Sequence, residues 1–350
     1  MKAVQFAAHG DRDVLEYASF PDPAPGPGEA VIDVKAAALN HLDVHTRRGH
    51  PGVDLAFPHV PGSDAAGVVD EVGEGVTRVE PDDRVAVLAG LADGDDEFSR
   101  HGDPTLAPDY RLLGEHTRGV HAEYATVPAA NLVHVPAHVD WETAAAAPLV
   151  FGTAWRLLIV RGDVTAGESV LVLGASGGVG HAAVQIADYA GAEVYATASS
   201  DEKLRAAEEL GADHGFDYEH EPESFARWIY RQTDGRGVDA VVDHVGPVTW
   251  ADSLKSLRNG GRLLTCGATT GARAETNLNR LFINQLEVVG STMATPGEFD
   301  DVLSLVWDGT LTPRIRETLP MSEIVRGHEL LENREGFGKV VVMPDSELRA

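Results

Sequence analysis

The chain has 350 residues, with 28 Lys plus Arg against 55 Asp plus Glu and a formal charge of −27. That length suggests about two domains, and 43% hydrophobic content excludes a disordered acidic tail. So much negative charge argues against nucleic acid or an anionic membrane as partner, because phosphates are bound by Lys and Arg. Five cations are Lys (Lys2, Lys35, Lys203, Lys255, Lys339) and the rest are Arg, the balance expected of a halophilic surface whose self-repulsion is screened by salt. A single cysteine, Cys266, rules out an intramolecular disulfide and a multi-cysteine zinc cluster. No run of apolar residues is long enough to span a membrane. Met1–Ala8 reads as a strand rather than a signal peptide, so a cytoplasmic location is expected.

In chain order, Pro21–Gly28 is loop punctuation. Val31–Ala38 and Ala65–Val72 are β-like, and Val85–Leu88 is a short apolar run. Trp141–Arg161 has helical spacing interrupted at Pro148 and Gly152. A regular alternation follows. Strands are predicted at Ser169–Leu173, Glu193–Ala198, His214–Phe216, Val238–Val242 and Arg262–Cys266. Helices are predicted at Val179–Ala190, Glu202–Leu210, Glu223–Thr233 and Thr249–Leu257. Strand and helix in strict turn mean βαβ units and a doubly wound parallel sheet. Leu286–Ser291 is one more strand, after which the character of the first part returns. The fold class is therefore α/β, with a mostly β domain (1–135 and 293–350) built around an inserted dinucleotide-binding domain (136–292).

The segment from Leu171 to Gly180 is a glycine-rich strand-to-helix turn. Gly177 lets backbone approach a pyrophosphate, Gly180 lets the helix pack close, and the helix start offers free N–H groups. Gly174, Ser176, Gly177, Gly178, Val179 and Gly180 are the residues expected at the cofactor phosphates. Ala175 stands where the usual pattern has its first glycine. The second strand ends in Ala198-Ser199-Ser200, without the acidic residue that holds the ribose hydroxyls in NAD sites. Ser199, Ser200 and Lys203 suit a 2′-phosphate, while Asp201 and Glu202 weigh mildly against it. NADPH is the expected cofactor, with NADH as the alternative.

Several ordered segments together resemble the medium-chain dehydrogenase/reductases over nearly the whole chain. They are Ala38 to Asp43, Pro61 to Val69, Pro81 to Val85, Val170 to Gly180, Val241 to Gly246, Gly260 to Arg262 and Gly336 to Val340. The resemblance implies a GroES-like catalytic domain beside the Rossmann domain. Zinc-dependent members carry zinc ligands where this chain has Asn40, Ser63 and Leu149, none of which is a plausible ligand. His41, His45 and His59 lie near in sequence, but no catalytic metal is expected. The cysteine lobe of zinc-containing relatives is replaced by Asp93, Asp96, Ser99 and Ala107. The acidic run there reads first as a solvated loop and second as a hard-cation site.

Without a Lewis acid, conjugated acceptors are easier to reduce than simple ketones, which points to a quinone or an α,β-unsaturated carbonyl. The resemblance implies Asn40, Asp43, His45 and Thr153 around the reacting groups. It places His41 near the cofactor pyrophosphate and Lys339 approaching the cofactor. Val245, Gly246 and Gly267 follow later parallel strands and border the cofactor. Leu42 replaces a proton-relay hydroxyl. Arg48–Phe57 and Ser291–Thr295 are expected to line the pocket for a small-molecule substrate. Leu286–Ser291 resembles the edge strand through which relatives pair, so a homodimer or homotetramer is expected. The competing readings are an alcohol dehydrogenase or aldehyde reductase, and a dinucleotide-binding protein without turnover.

Overall fold

A computed structural model describes residues 1–50 and 52–349. Pro51, inside the loop expected to line the substrate pocket, lies outside the described residues. The chain divides into two units, 1–149 with 295–350, and 150–294.

The second unit follows from its apolar runs. Ser169–Val172 and Val238–Val242 are buried at every position, as strands covered on both faces require. Six parallel strands lie in the spatial order His214–Asp217, Glu193–Ala198, Ser169–Val172, Val238–Val242, Leu257–Thr265, Glu287–Gly290. Counted along this unit the order is 3-2-1-4-5-6, the doubly wound arrangement with its switch point beside the first strand. Helices Gly178–Tyr189, Asp201–Glu208, Phe225–Gln232 and Pro247–Ser256 fill the connections.

The first unit is built on one long sheet. Glu29–Ala38 lies between Lys339–Met343 and Asp64–Val72, both antiparallel to it, and also pairs with Tyr124–Pro128. Its burial is nearly continuous. The helix Trp141–Ala146 packs on this sheet through Ala144, Ala145 and Ala146, so it belongs to the first unit.

The structure departs from the sequence expectations at several elements. His41–Arg48 forms a helix that the sequence reading left unassigned, because its apolar content is low. Gly152 does not interrupt a helix: Pro148 starts a new one and Gly152 lies inside it, Pro148–Trp155. Pro is well placed at a first helical turn, where its missing N–H is not needed. The segment after 291, read only as mixed, contains the helices Pro296–Trp307 and Ile324–Glu332. Among the described residues no helix is long and apolar enough to cross a membrane.

Candidate active site

In the first unit, strand register assembles a buried polar cluster. Ala38, the last residue of the central strand, pairs with Asp64 on one side and Val341 on the other. This brings Asn40, Asp64 and Lys339 together from three distant stretches of sequence. Lys339 is only 2% exposed, Asn40 6%, and Asp43 and Asp64 are essentially inaccessible. Lys339 Nζ donates to Asn40 Oδ1 at 2.6 Å and to Asp64 Oδ2 at 3.2 Å. Asn40 Nδ2 donates to Asp64 Oδ2 at 2.8 Å and reaches the Ala38 carbonyl only at 3.5 Å. Asp64 Oδ1 accepts the Leu149 N–H at 3.0 Å. Gly338 makes the approach of Lys339 feasible. Its φ is +97°, and a Cβ there would stand 2.2 Å from the Arg314 carbonyl oxygen.

Asp43 lies in the first turn of His41–Arg48, and its Oδ2 accepts the Asn40 N–H at 2.7 Å. Its other oxygen has no hydrogen-bond partner among the described residues. Burial pushes the Asp43 carboxyl up to about 7, against the pull of the Asn40 N–H and the Lys339 charge. One buried cation thus faces two carboxyls, and the second holds its proton into the neutral range. The helix itself is tied down by Arg47, fully buried, which bonds Glu332 and faces His328 Nδ1 at 3.3 Å.

The positions that the family resemblance sets at zinc ligands do not offer a zinc donor set. Ser63 Oγ donates to the Leu113 carbonyl at 2.6 Å, Leu149 has no donor side chain, and Asn40 shares its oxygen with an ammonium. An ammonium fixed between two acceptors repels a divalent cation, so these residues do not fit zinc. The histidines are dispersed: His59 Nε2 pairs with the Gly114 carbonyl, His41 is exposed, and His45 is half-buried. Burial, with lesser effects from His50 and Arg48, lowers the His45 pKa. In the acidic loop, Asp96 caps the short helix Glu97–Arg100 and Asp93 pairs with Arg111. Among the described residues no three His, Cys, Asp or Glu side chains converge on a metal position.

Sequence reasoning missed His121, a fully buried histidine whose two ring nitrogens have no hydrogen-bond partner among the described residues. Its ring packs on Gly62, where a Cβ would stand 2.3 Å from it. Burial lowers it to about 4, so it is neutral beside Lys339 and Asp64. A histidine in the short stretch Gly119-Val120-His121-Ala122 was the available signal.

In the second unit the glycine turn has the geometry of a phosphate cradle. Gly174 has φ +60°, and a Cβ at Gly180 would lie 2.1 Å from the Gly174 carbonyl oxygen, so only glycine permits this closure. Gly177 stands at the cap position of Gly178–Tyr189 without any side-chain cap. The first N–H groups of that helix, around Gly178 and Val179, are left for a ligand, and Ser176 is half-buried beside them. Lys203 Nζ donates to Ser199 Oγ at 2.8 Å, and Ser200 caps the helix Asp201–Glu208. Glu193, at the opposite end of its strand, pairs with His214.

Asp243, fully buried, organises the next strand end. It accepts the N–H groups of Val245 and Gly246 and the hydroxyls of Thr249 and Ser253. This holds Gly246 at φ +98°. His244 is the residue that reaches the turn, its Nε2 standing 3.5 Å from a Cβ placed on Gly174. Gly267 packs against the His244 carbonyl. Burial, with Asp243 adding to it, pushes the Cys266 thiol up to about 12, which disfavours the thiolate. Thr153 is buried, with its hydroxyl 4.0 Å from Met293 Sδ.

Two family models match this chain, "Alcohol dehydrogenase GroES-like domain" over residues 26–137 and "Zinc-binding dehydrogenase" over 178–308. An acryloyl-coenzyme A reductase of Sulfurisphaera tokodaii is 31% identical over 98% of this chain and 100% of its own length. The chain belongs to the medium-chain dehydrogenase/reductase family. A quinone oxidoreductase of Pseudomonas aeruginosa is 32% identical over 98% of this chain and 99% of its own. A solved NAD-dependent alcohol dehydrogenase is 43% identical, with TM-score 0.93, over 98% of this chain and 99% of that one. As a member of the family this protein is an NAD(P)-dependent oxidoreductase.

Proposed function

We propose that the protein is an NADPH-dependent reductase of α,β-unsaturated carbonyl compounds or quinones that works without zinc. The observation that carries this is the buried Lys339 ammonium, held by Asn40 and Asp64 among residues that replace the family's metal ligands. The names of two relatives, an acryloyl-coenzyme A reductase and a quinone oxidoreductase, support a conjugated acceptor. The nicotinamide cofactor, when bound, supplies a hydride. Gly174 to Gly180 would hold its phosphates, with Val245, Gly246 and Gly267 bordering it. Ser199, Ser200 and Lys203 would hold a 2′-phosphate, since no carboxylate ends that strand.

A conjugated acceptor spreads the negative charge that develops as it is reduced, so it asks less of the protein than an isolated carbonyl. Lys339 keeps a fixed positive charge at Asn40 and polarises its amide. One amide N–H of Asn40 is bound to Asp64, while the other has only the 3.5 Å contact to Ala38. That second N–H is the one we assign to the substrate oxygen. Asp43 orients Asn40 through its backbone and, with a carboxyl near neutrality, is suited to hold or return a proton. His45 and His41 retain the roles implied by the resemblance, at the proton path and the pyrophosphate, and Thr153 its place by the nicotinamide.

An NADPH oxidation panel with an enoyl thioester, a quinone and an aldehyde tests this reading, with metal analysis on the same sample. Activity on the first or second without bound zinc supports it. Activity on the aldehyde alone supports an alcohol dehydrogenase, the reading favoured by the 43% identical solved structure. Asn40→Ala should lower kcat by about tenfold or more, the worth of one hydrogen bond in a dry site, while NADPH binding is kept. An unchanged kcat removes Asn40 from the chemistry.

A further inference from the structure

The second unit has two ends. The carboxyl ends of its strands carry the glycine turn, Asp243 and Cys266. At the amino ends of Val238–Val242 and Leu257–Thr265 lies a cavity of ≈ 420 Å³. Its volume is within the range of small-ligand pockets. Arg236, Lys255, Arg258 and Arg280 line it, and no carboxylate does. This is an inversion of the chain's character, in which acids outnumber bases 55 to 28.

The partners of these cations leave charge over. Arg236 and Arg258 share one carboxylate, Asp239, which is buried beneath them. Lys255 pairs with Asp252 at 2.7 Å, though its side chain is still 56% exposed. Arg280 donates to the main-chain carbonyls of Leu254 and Lys255, both at 3.0 Å. Four cations at the rim are directly paired with two carboxylates, Asp239 and Asp252, with Glu168 and Glu193 acting on Arg236 from farther off. Arg280 also answers the last carbonyls of Pro247–Ser256, so the negative end of that helix is already compensated. The Arg236 fork is engaged by Asp239 and Arg258 also donates to the Asn259 carbonyl, so the half-exposed Lys255 ammonium and the positive field of the arginines are what a phosphoryl group would meet.

We propose that this cavity is a second anion site, for a phosphoryl dianion, at the opposite end of the sheet from the cofactor turn. Its ligand is a free phosphate or a phosphate monoester small enough for the cavity. Neither the hydride-transfer reading nor the cofactor's own phosphates require it.

Inorganic phosphate and glycerol phosphate are titrated separately, by calorimetry, into protein saturated with NADPH so that the cofactor's phosphate positions are filled. Ionic strength is held constant. Saturable binding of one anion per chain is expected, and the tighter of the two ligands identifies the source of the phosphoryl group. Lys255→Gln with Arg280→Gln should weaken that binding by about tenfold or more, leaving kcat/KM for NADPH unchanged. Lys255→Glu, a single change on a side chain that is 56% exposed, should also weaken it and serves as the test if the double variant fails to fold. Absence of saturable binding in the native protein overturns the proposal, as does an affinity that Lys255→Glu leaves unaltered. Either result would reduce these cations to helix-end caps.

Discussion

Replacing Lys339 by methionine tests the centre of the argument. The side chain is of similar length and apolar, so little cavity is created, and the main loss is the charge. Lys339 Nζ lies 3.2 Å from Asp64 Oδ2, with both groups buried. At an effective dielectric of about 20, unit charges at that separation attract by about 5 kcal/mol. Removing one partner of a buried ion pair costs about 3–5 kcal/mol by experience with other proteins, a concordant figure. For a unit of this size each kcal/mol moves the midpoint by about 2–4 °C, so Tm should fall by on the order of 10 °C. Calorimetry and urea unfolding of the native protein, Lys339→Met, Asp64→Asn and the double variant form a complete cycle. The double variant buries no orphaned charge and should recover most of the loss, with a coupling of about 2 kcal/mol or more. A fall in Tm of less than about 1 °C, or a double variant no more stable than Lys339→Met, would refute the claim that a buried ammonium holds this site.

Asp43 should mark the pH dependence of stability. Its folded pKa is raised from 3.8 to about 7, so its contribution is full below the unfolded value and is lost as pH rises through 7. Asp43→Asn should therefore gain on the native protein between pH 4 and 8, by up to about 4 kcal/mol, in urea unfolding at the two ends. His121, lowered to about 4, works in the opposite sense and loses its contribution as pH falls, which masks Asp43 in the native protein. Lys203→Ala should cut kcat/KM for NADPH by about tenfold or more and leave NADH nearly unaffected; equal losses with both would remove the 2′-phosphate role. The edge strand Glu287–Gly290 exposes Val288, and Phe282 and Ile283 are two-thirds exposed beside it. Val288→Lys with Phe282→Asp should convert a dimer or tetramer to monomer in light scattering at matched salt; a native protein that is already monomeric defeats this expectation.

Much of the second unit was legible in the chain. Buried parallel strands leave continuous apolar runs, and a strand, Gly174 to Gly180, and a helix form a contiguous signature within ten or so residues. The helix His41–Arg48 was not legible, because its stability comes from Arg47 reaching Glu332 and His328 rather than from an apolar stripe. His121 was equally hidden, since its meaning depends on the wall of Gly62 and on a burial that no local pattern records.

The sequence by itself determined the α/β architecture and the glycine-rich strand-to-helix turn, and its family resemblance implied that Asn40, Ser63 and Leu149 stand where zinc-dependent members carry ligands. Those are statements about which residues are present and how closely they follow one another. What stands in place of those ligands was decided by tertiary structure alone. Lys339 is 299 residues from Asn40, and only the pairing of Ala38 with Asp64 and Val341 brings them into contact. Sheet register is a property of the whole strand set, and so is the burial that sets one lysine beside two carboxyls and raises the pKa of Asp43.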